Sequence, residues 1–158
     1  MDRQLAFVLK EEILRNVIKT HNTVLLAGWE GTGKTVTALK ACRDLGDVVY
    51  FNAAGTDMRE YVSLHCESAA VVPAVSELAD IQAKQSLFII DGVDKADGDT
   101  LSAITGVVSG ASGDRKVILI TRMLLDTRKL FSSINVVIRF KQDTAEVLLT
   151  DLCDLDNL

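Results

Sequence analysis

Eight consecutive residues, Gly28-Trp29-Glu30-Gly31-Thr32-Gly33-Lys34-Thr35, carry the pattern of a glycine, four residues, then Gly-Lys-Thr. Anion binding gives each fixed position a reason. The glycines let the backbone approach a ligand and adopt conformations closed to other residues. Successive N–H groups then form an anion-binding nest, reinforced by the positive end of the helix that follows. Lys34 would reach the β- and γ-phosphates of a nucleotide, and the Thr35 hydroxyl would help hold Mg²⁺. The whole segment is therefore the candidate nucleotide-binding stretch. The sequence has no Asn-Lys-x-Asp run of the kind that reads guanine, which favours ATP over GTP.

A bound Mg²⁺ needs a carboxylate from a neighbouring strand. Asp91 closes the run Leu87-Phe88-Ile89-Ile90 and has the right placement. Polarising an attacking water needs a second acid near the γ-phosphate. Gly92 follows Asp91 directly, so the nearest carboxylate is Asp94, whose alternative reading is a cap on the following turn or helix. Asp97 and Asp99 read as caps and solvated acids. A third strand end, Val117-Ile118-Leu119-Ile120, runs into Thr121-Arg122. There Thr121 would orient water and Arg122 would stabilise developing charge on the γ-phosphate. The candidate catalytic set is Lys34, Asp91, Asp94, Thr121 and Arg122, with Thr35 and Asp91 as the metal ligands.

Positioning these groups calls for strands that end together. Thr23–Ala27, Val48–Phe51, Ser86–Asp91, Lys116–Thr121 and Asn135–Phe140 are short apolar runs bounded by turn residues. Helical spacing predicts helices over Asp2–Lys19, Lys34–Leu45 (ended by Gly46), Asp57–Cys66, Pro73–Lys84, Asp99–Val108, Met123–Phe131 and Thr144–Leu152. Pro73 suits a first helical turn. Strands apolar throughout, alternating with helices, mean a parallel sheet covered on both faces. The expectation is one α/β domain over residues 1–158, with an N-terminal amphipathic helix over 1–20 and a nucleotide-binding core over 21–150.

The bulk properties agree with a globular chain. Its 158 residues are 48% hydrophobic and 25% charged, with one proline. The net charge of -5 argues against a surface that grips nucleic acid all over, although Arg115, Lys116, Arg122, Arg128 and Lys129 fall close together. Cys42, Cys66 and Cys153 form no Cys-x-x-Cys pair, which points to reduced thiols and a cytoplasmic location. His21 and His65 do not complete a zinc site. No run is long and apolar enough to cross a bilayer, and the N-terminus is not a signal peptide.

Taken in order, Gly-Trp-Glu-Gly-Thr-Gly-Lys-Thr, Leu-Phe-Ile-Ile-Asp-Gly-Val-Asp and Val-Ile-Leu-Ile-Thr-Arg resemble the ATPase core of the AAA+ and STAND class over about residues 20 to 150. Asp91-Gly92-Val93-Asp94 is similar to the acidic motif of the NACHT branch of STAND proteins, and Thr121-Arg122 to the sensor 1 strand. The resemblance implies a three-layer P-loop fold with a five-stranded parallel sheet of order 5-1-4-3-2. It further implies ATP-dependent switching through assembly with the same chain or a protein partner. The sequence departs from the family at Gly92, where AAA+ proteins place Glu, and at Lys95, where NACHT proteins usually place an acid. It also stops before the helical lid and its sensor 2 arginine. Arg128 or Lys129 would be the candidates for an arginine finger acting in trans. Two other readings stand beside the switch: a DNA-associated AAA+ ATPase, clamp-loader-like or transposition-associated, and a nucleotide-binding scaffold with little turnover.

Overall fold

The structure is a computed structural model, and it describes residues 3–45, 47–81, 87–111, 115–122, 134 and 136–148. In chain order its elements are α1 (Arg3–Thr20), β1 (Thr23–Ala27), α2 (Lys34–Cys42), β2 (Val48–Asn52), α3 (Arg59–His65), β3 (Ala70–Val72), α4 (Val75–Ile81), β4 (Leu87–Asp91), α5 (Gly98–Ser109), β5 (Lys116–Thr121), β6 (Val137–Phe140) and β7 (Ala145–Leu148). A single 3-10 turn, Val93–Lys95, lies between β4 and α5.

The sheet corrects the five-stranded expectation. It has seven strands in the order β3-β2-β4-β5-β1-β6-β7. The order differs from the expected one because a strand is added at each edge. Ala70–Val72 pairs in parallel with β2, from Val49↔Ala70 to Phe51↔Val72. At the other edge β7 pairs antiparallel with β6, with Val137 opposite Leu148 and Phe140 opposite Ala145. The expected closing helix over Thr144–Leu152 is therefore wrong for residues 145–148, which are strand; residues 149–152 lie outside the described residues. Arg139 and Lys141 both bind Glu146, at 2.7 and 3.2 Å, and these cross-strand ion pairs favour the hairpin over a helix. Pro73 precedes α4 by two residues instead of sitting in its first turn. The Met123–Phe131 helix, Gly46, Arg128, Lys129 and Cys153 fall outside the described residues.

Alternate strand side chains feed two apolar clusters, as the two-residue period requires. One face of the sheet supplies Val24, Leu26, Val48, Tyr50, Ile89, Ile118 and Ile120, packed against Leu14 of α1, Leu39 of α2 and Val62 of α3. The other supplies Leu25, Val49, Phe88, Ile90 and Leu119, packed against Leu78 of α4 and Ile104 and Val107 of α5. All five residues of β4 are buried. With both faces covered, the groups exposed to ligand are those at the strand ends. Because β1, β2, β4 and β5 are parallel neighbours, their carboxyl ends lie along one edge, where open α/β sheets bind ligands.

Candidate functional site

The loop after β1 is held to β5 by Gly28 N–H donating to Thr121 O, 3.3 Å. A Cβ on Gly28 would lie 2.5 Å from the carbonyl oxygen of Phe140 on β6, so the strand packing itself demands glycine there. Gly33 is the N-cap of α2 with φ 85°, and a Cβ there would meet the Phe7 ring of α1 at 2.7 Å. No side chain caps α2. Its N-terminal amides are thus of the kind that bind anions.

Lys34 is buried, and its Nζ donates to the carbonyl oxygens of Gly28 and Trp29 within the loop. Burial lowers its pKa; the carboxylates of Asp91, Asp94 and Glu30 act the other way, and Arg122 adds to the lowering. Thr35 Oγ1 donates to Asp91 Oδ2 at 2.7 Å. Tyr50 OH donates to the same oxygen at 2.7 Å, and Asn52 Nδ2 donates to the Tyr50 hydroxyl at 3.3 Å. Desolvation and the adjacent Asp91 push the Tyr50 phenol far up, so it stays a donor. Asn52 sits beside Asp91 in register, and its Oδ1 accepts from Ala54 N at 3.0 Å, closing the turn after β2.

Asp94 does not cap a helix. Its Oδ1 accepts from Thr121 Oγ1 at 3.4 Å and from Arg122 N at 3.3 Å, and its Oδ2 accepts from Arg122 Nε at 3.3 Å. The cap on α5 is Asp97, which accepts from Thr100 N at 2.8 Å. The other end of the Arg122 guanidinium, Nη1, binds Glu30 Oε1 at 2.8 Å.

A cleft of about 440 Å³ is lined by Glu30, Gly31, Gly33, Lys34, Thr35, Asp91, Asp94, Thr121 and Arg122, together with Phe7, Asn52 and Tyr61. The structure thus brings together all five candidate catalytic residues and both candidate metal ligands. It leaves Trp29 apart: the side chain is 82% exposed and does not line the cleft. Thr32 lines a smaller cavity of about 120 Å³ with Phe7, Lys10, Gln142 and Asp143.

Three contributors escaped the sequence reading. Tyr50 read as one more apolar strand residue, although a buried tyrosine in an aliphatic strand implies a partner for its hydroxyl. Phe7 and Lys10 belong to the expected N-terminal amphipathic helix, with Lys10 on its polar face, and nothing in that pattern links either to the phosphate loop. Lys10 is buried, and its Nζ donates to Thr32 O (2.9 Å), Lys141 O (2.7 Å) and Gln142 O (2.9 Å). The rings of Phe7 and Phe140 lie 5.8 and 5.6 Å from that nitrogen, close enough for cation–π attraction.

The donors beside the phosphate loop are all oxygen: the Thr35 hydroxyl and the Asp91 carboxylate. That set suits Mg²⁺, which binds through one or two protein oxygens and completes its shell with phosphate and water. Among the described residues no cluster of three or more His, Cys, Asp and Glu offers an all-protein metal cage.

A phosphate loop between β1 and α2, facing an acid at the end of the parallel strand β4 with β5 between them, defines the P-loop NTPase fold. Within that class the sequence matches the profile of the ATPase family associated with various cellular activities (AAA) over residues 24–149, and the chain belongs to that family. No curated protein sequence matches it significantly. Among solved structures, Bacteroides sp Pif1 in complex with ADP-AlF4 aligns with a TM-score of 0.51 and 14% identity. The alignment covers 84% of this chain and 41% of that one, so the chain spans well under two thirds of the length of that structure. The RadB recombinase aligns with a TM-score of 0.51 and 13% identity, covering 75% of this chain and 73% of its own. At these identities the likeness is one of fold. No helix among the described residues is long and apolar enough to cross a membrane.

Proposed function

We propose that this chain is a Mg²⁺-dependent ATP switch of the STAND type, with Lys34, Thr35, Asp91, Asp94, Thr121 and Arg122 as its working residues. The observation that carries the reading is the joint hold of Thr121 and Arg122 on Asp94. An acid, a hydroxyl and a guanidinium lie together in the cleft beside the phosphate loop, which supports a role for them at the γ-phosphate. Lys34 binds the β- and γ-phosphates in place of its two loop carbonyls, with the amides of residues 28–35 around them. Thr35 and Asp91 would hold Mg²⁺, which would supply charge neutralisation at the phosphates. Asp94 accepts a proton from water positioned by Thr121, and Arg122 stabilises the charge that develops on the transferred group. Gly92 puts no carboxylate directly after Asp91, which supports slow turnover and hence a switch, acting through assembly with itself or a protein partner.

The test is nucleotide binding and phosphate release by wild type, Lys34→Ala, Asp91→Asn and Asp94→Asn, with the mass of assemblies measured with and without ATP. Lys34→Ala is expected to lose binding. Asp91→Asn should weaken binding only when Mg²⁺ is present, and Asp94→Asn should bind as wild type while losing 10²- to 10⁴-fold in turnover, roughly the range of general-base catalysis. Equal loss of binding in both aspartate variants would refute the division of roles. Binding without phosphate release above the Lys34→Ala level would favour a scaffold instead.

A further inference from the structure

Arg122 is held at two points that differ in character. Its Nε pairs with Asp94 at 3.3 Å, an acid whose side chain is only 3% exposed and which also accepts from the Arg122 backbone N–H at 3.3 Å. Its Nη1 pairs with Glu30 at 2.8 Å, an acid in the phosphate loop that is 76% exposed. The first pairing fixes the base of the guanidinium. The second occupies the arm that points toward the phosphate loop.

We infer that Glu30 is a specificity-determining residue: it competes with a γ-phosphate for Arg122 and so lowers the preference of the site for triphosphate over diphosphate. This rests on the proposed ATP-binding role of the same cleft. A γ-phosphate that recruits Arg122 meets a guanidinium already bridged to Glu30 through Nη1, so the two anions compete for its charge and its orientation. Glu30 is exposed enough to move into solvent at little cost, whereas Asp94 is not. A diphosphate lacks the group that would recruit Arg122 and so leaves the Glu30 bridge intact. The penalty therefore falls on the triphosphate alone. Through space Glu30 also attracts the Lys34 ammonium and would repel phosphates, most of all a γ-phosphate; that effect does not need Arg122, so an Arg122→Gln background isolates it. For a switch, the result is a weaker grip on the triphosphate state and easier reversal.

The experiment measures dissociation constants of ADP and of a non-hydrolysable ATP analogue, both with Mg²⁺. The proteins are wild type, Glu30→Gln, Arg122→Gln and the double variant. Glu30→Gln is expected to raise the triphosphate-to-diphosphate affinity ratio roughly two- to fivefold, the range that a partly exposed ion pair of this kind allows. The same substitution in the Arg122→Gln background should shift the ratio much less, because Glu30 acts mainly through Arg122. An equal tightening of both nucleotides by Glu30→Gln, or a ratio that shifts equally in both backgrounds, overturns the inference and leaves the ATP-binding role intact. A wild-type protein that binds neither nucleotide overturns both.

Discussion

Asp91 shows how much a single carboxylate depends on neighbours that are remote in sequence. One of its oxygens accepts from two hydroxyls, Thr35 and Tyr50, each at 2.7 Å. Thr35 is the proposed metal ligand beside it, but Tyr50 is fully buried on β2 and acts only by orienting the acid. Removing a hydrogen bond to a charged acceptor costs about 1.5–3 kcal/mol. Tyr50→Phe is therefore expected to weaken Mg²⁺-dependent ATP binding on the order of tenfold, while binding measured in EDTA stays at the wild-type level. Titrating Mg²⁺ at fixed nucleotide checks this directly. A loss of the same size with and without metal would mean that Tyr50 supports the fold and not the carboxylate. The sequence showed Asp91, Thr121 and Arg122 because they stand where apolar runs end, and Asp94 because it is the next carboxylate along, and both are local signals. It could not show Tyr50 joined to Asp91, because the two are 41 residues apart and meet only through strand pairing.

The same division between local and pairwise information holds for the elements. Runs such as Leu87–Asp91 and Lys116–Thr121 were legible because burial on both faces confines their polar residues to the strand ends. Ala70–Val72 was not, since three residues carry no period and become a strand only by pairing with β2. Thr144–Leu152 misled for the opposite reason. Its apolar residues admit a helical spacing, and only the partner strand β6 and the ion pairs to Glu146 favour extended backbone. Helix α2 has a further property that burial imposes. Its Cys42 is fully buried, and desolvation, followed by the charge of Cys66, pushes the Cys42 thiol up to about 12 from an ordinary 9.0. A pKa raised by folding means that the native state resists deprotonation more than the unfolded chain does. The contribution is intact below pH 9 and is lost progressively as pH rises toward 12. It amounts to about 4 kcal/mol if the full shift is realised. Urea midpoints measured from pH 8 to 11 are expected to fall for wild type, and to fall less steeply for Cys42→Ala. Parallel slopes for the two proteins would show that the thiol does not contribute.

At the scale of the molecule, α1 is the unexpected participant. It packs Leu14, Val17 and Ile18 into the same apolar cluster as α2 and α3, and it also reaches the phosphate loop. Lys10 binds Thr32 in that loop and Lys141 and Gln142 at the turn between β6 and β7, so one ammonium group joins three segments far apart in the chain. Three carbonyls match the three donors of a lysine, which makes its burial tolerable without a paired acid. Desolvation lowers its pKa, with Asp143 partly opposing. Lys10→Met keeps most of the length and the apolar character of the stem but strands the carbonyls, at a cost of about 1–3 kcal/mol. A purely structural brace would show that loss in the urea midpoint alone. If Lys10 also sets the loop, nucleotide affinity should fall as well, by about tenfold for each 1.4 kcal/mol of loop order lost. We expect both effects, measured well below the unfolding transition so that binding is read from folded protein. An unchanged affinity alongside a lowered midpoint would restrict α1 to covering the sheet.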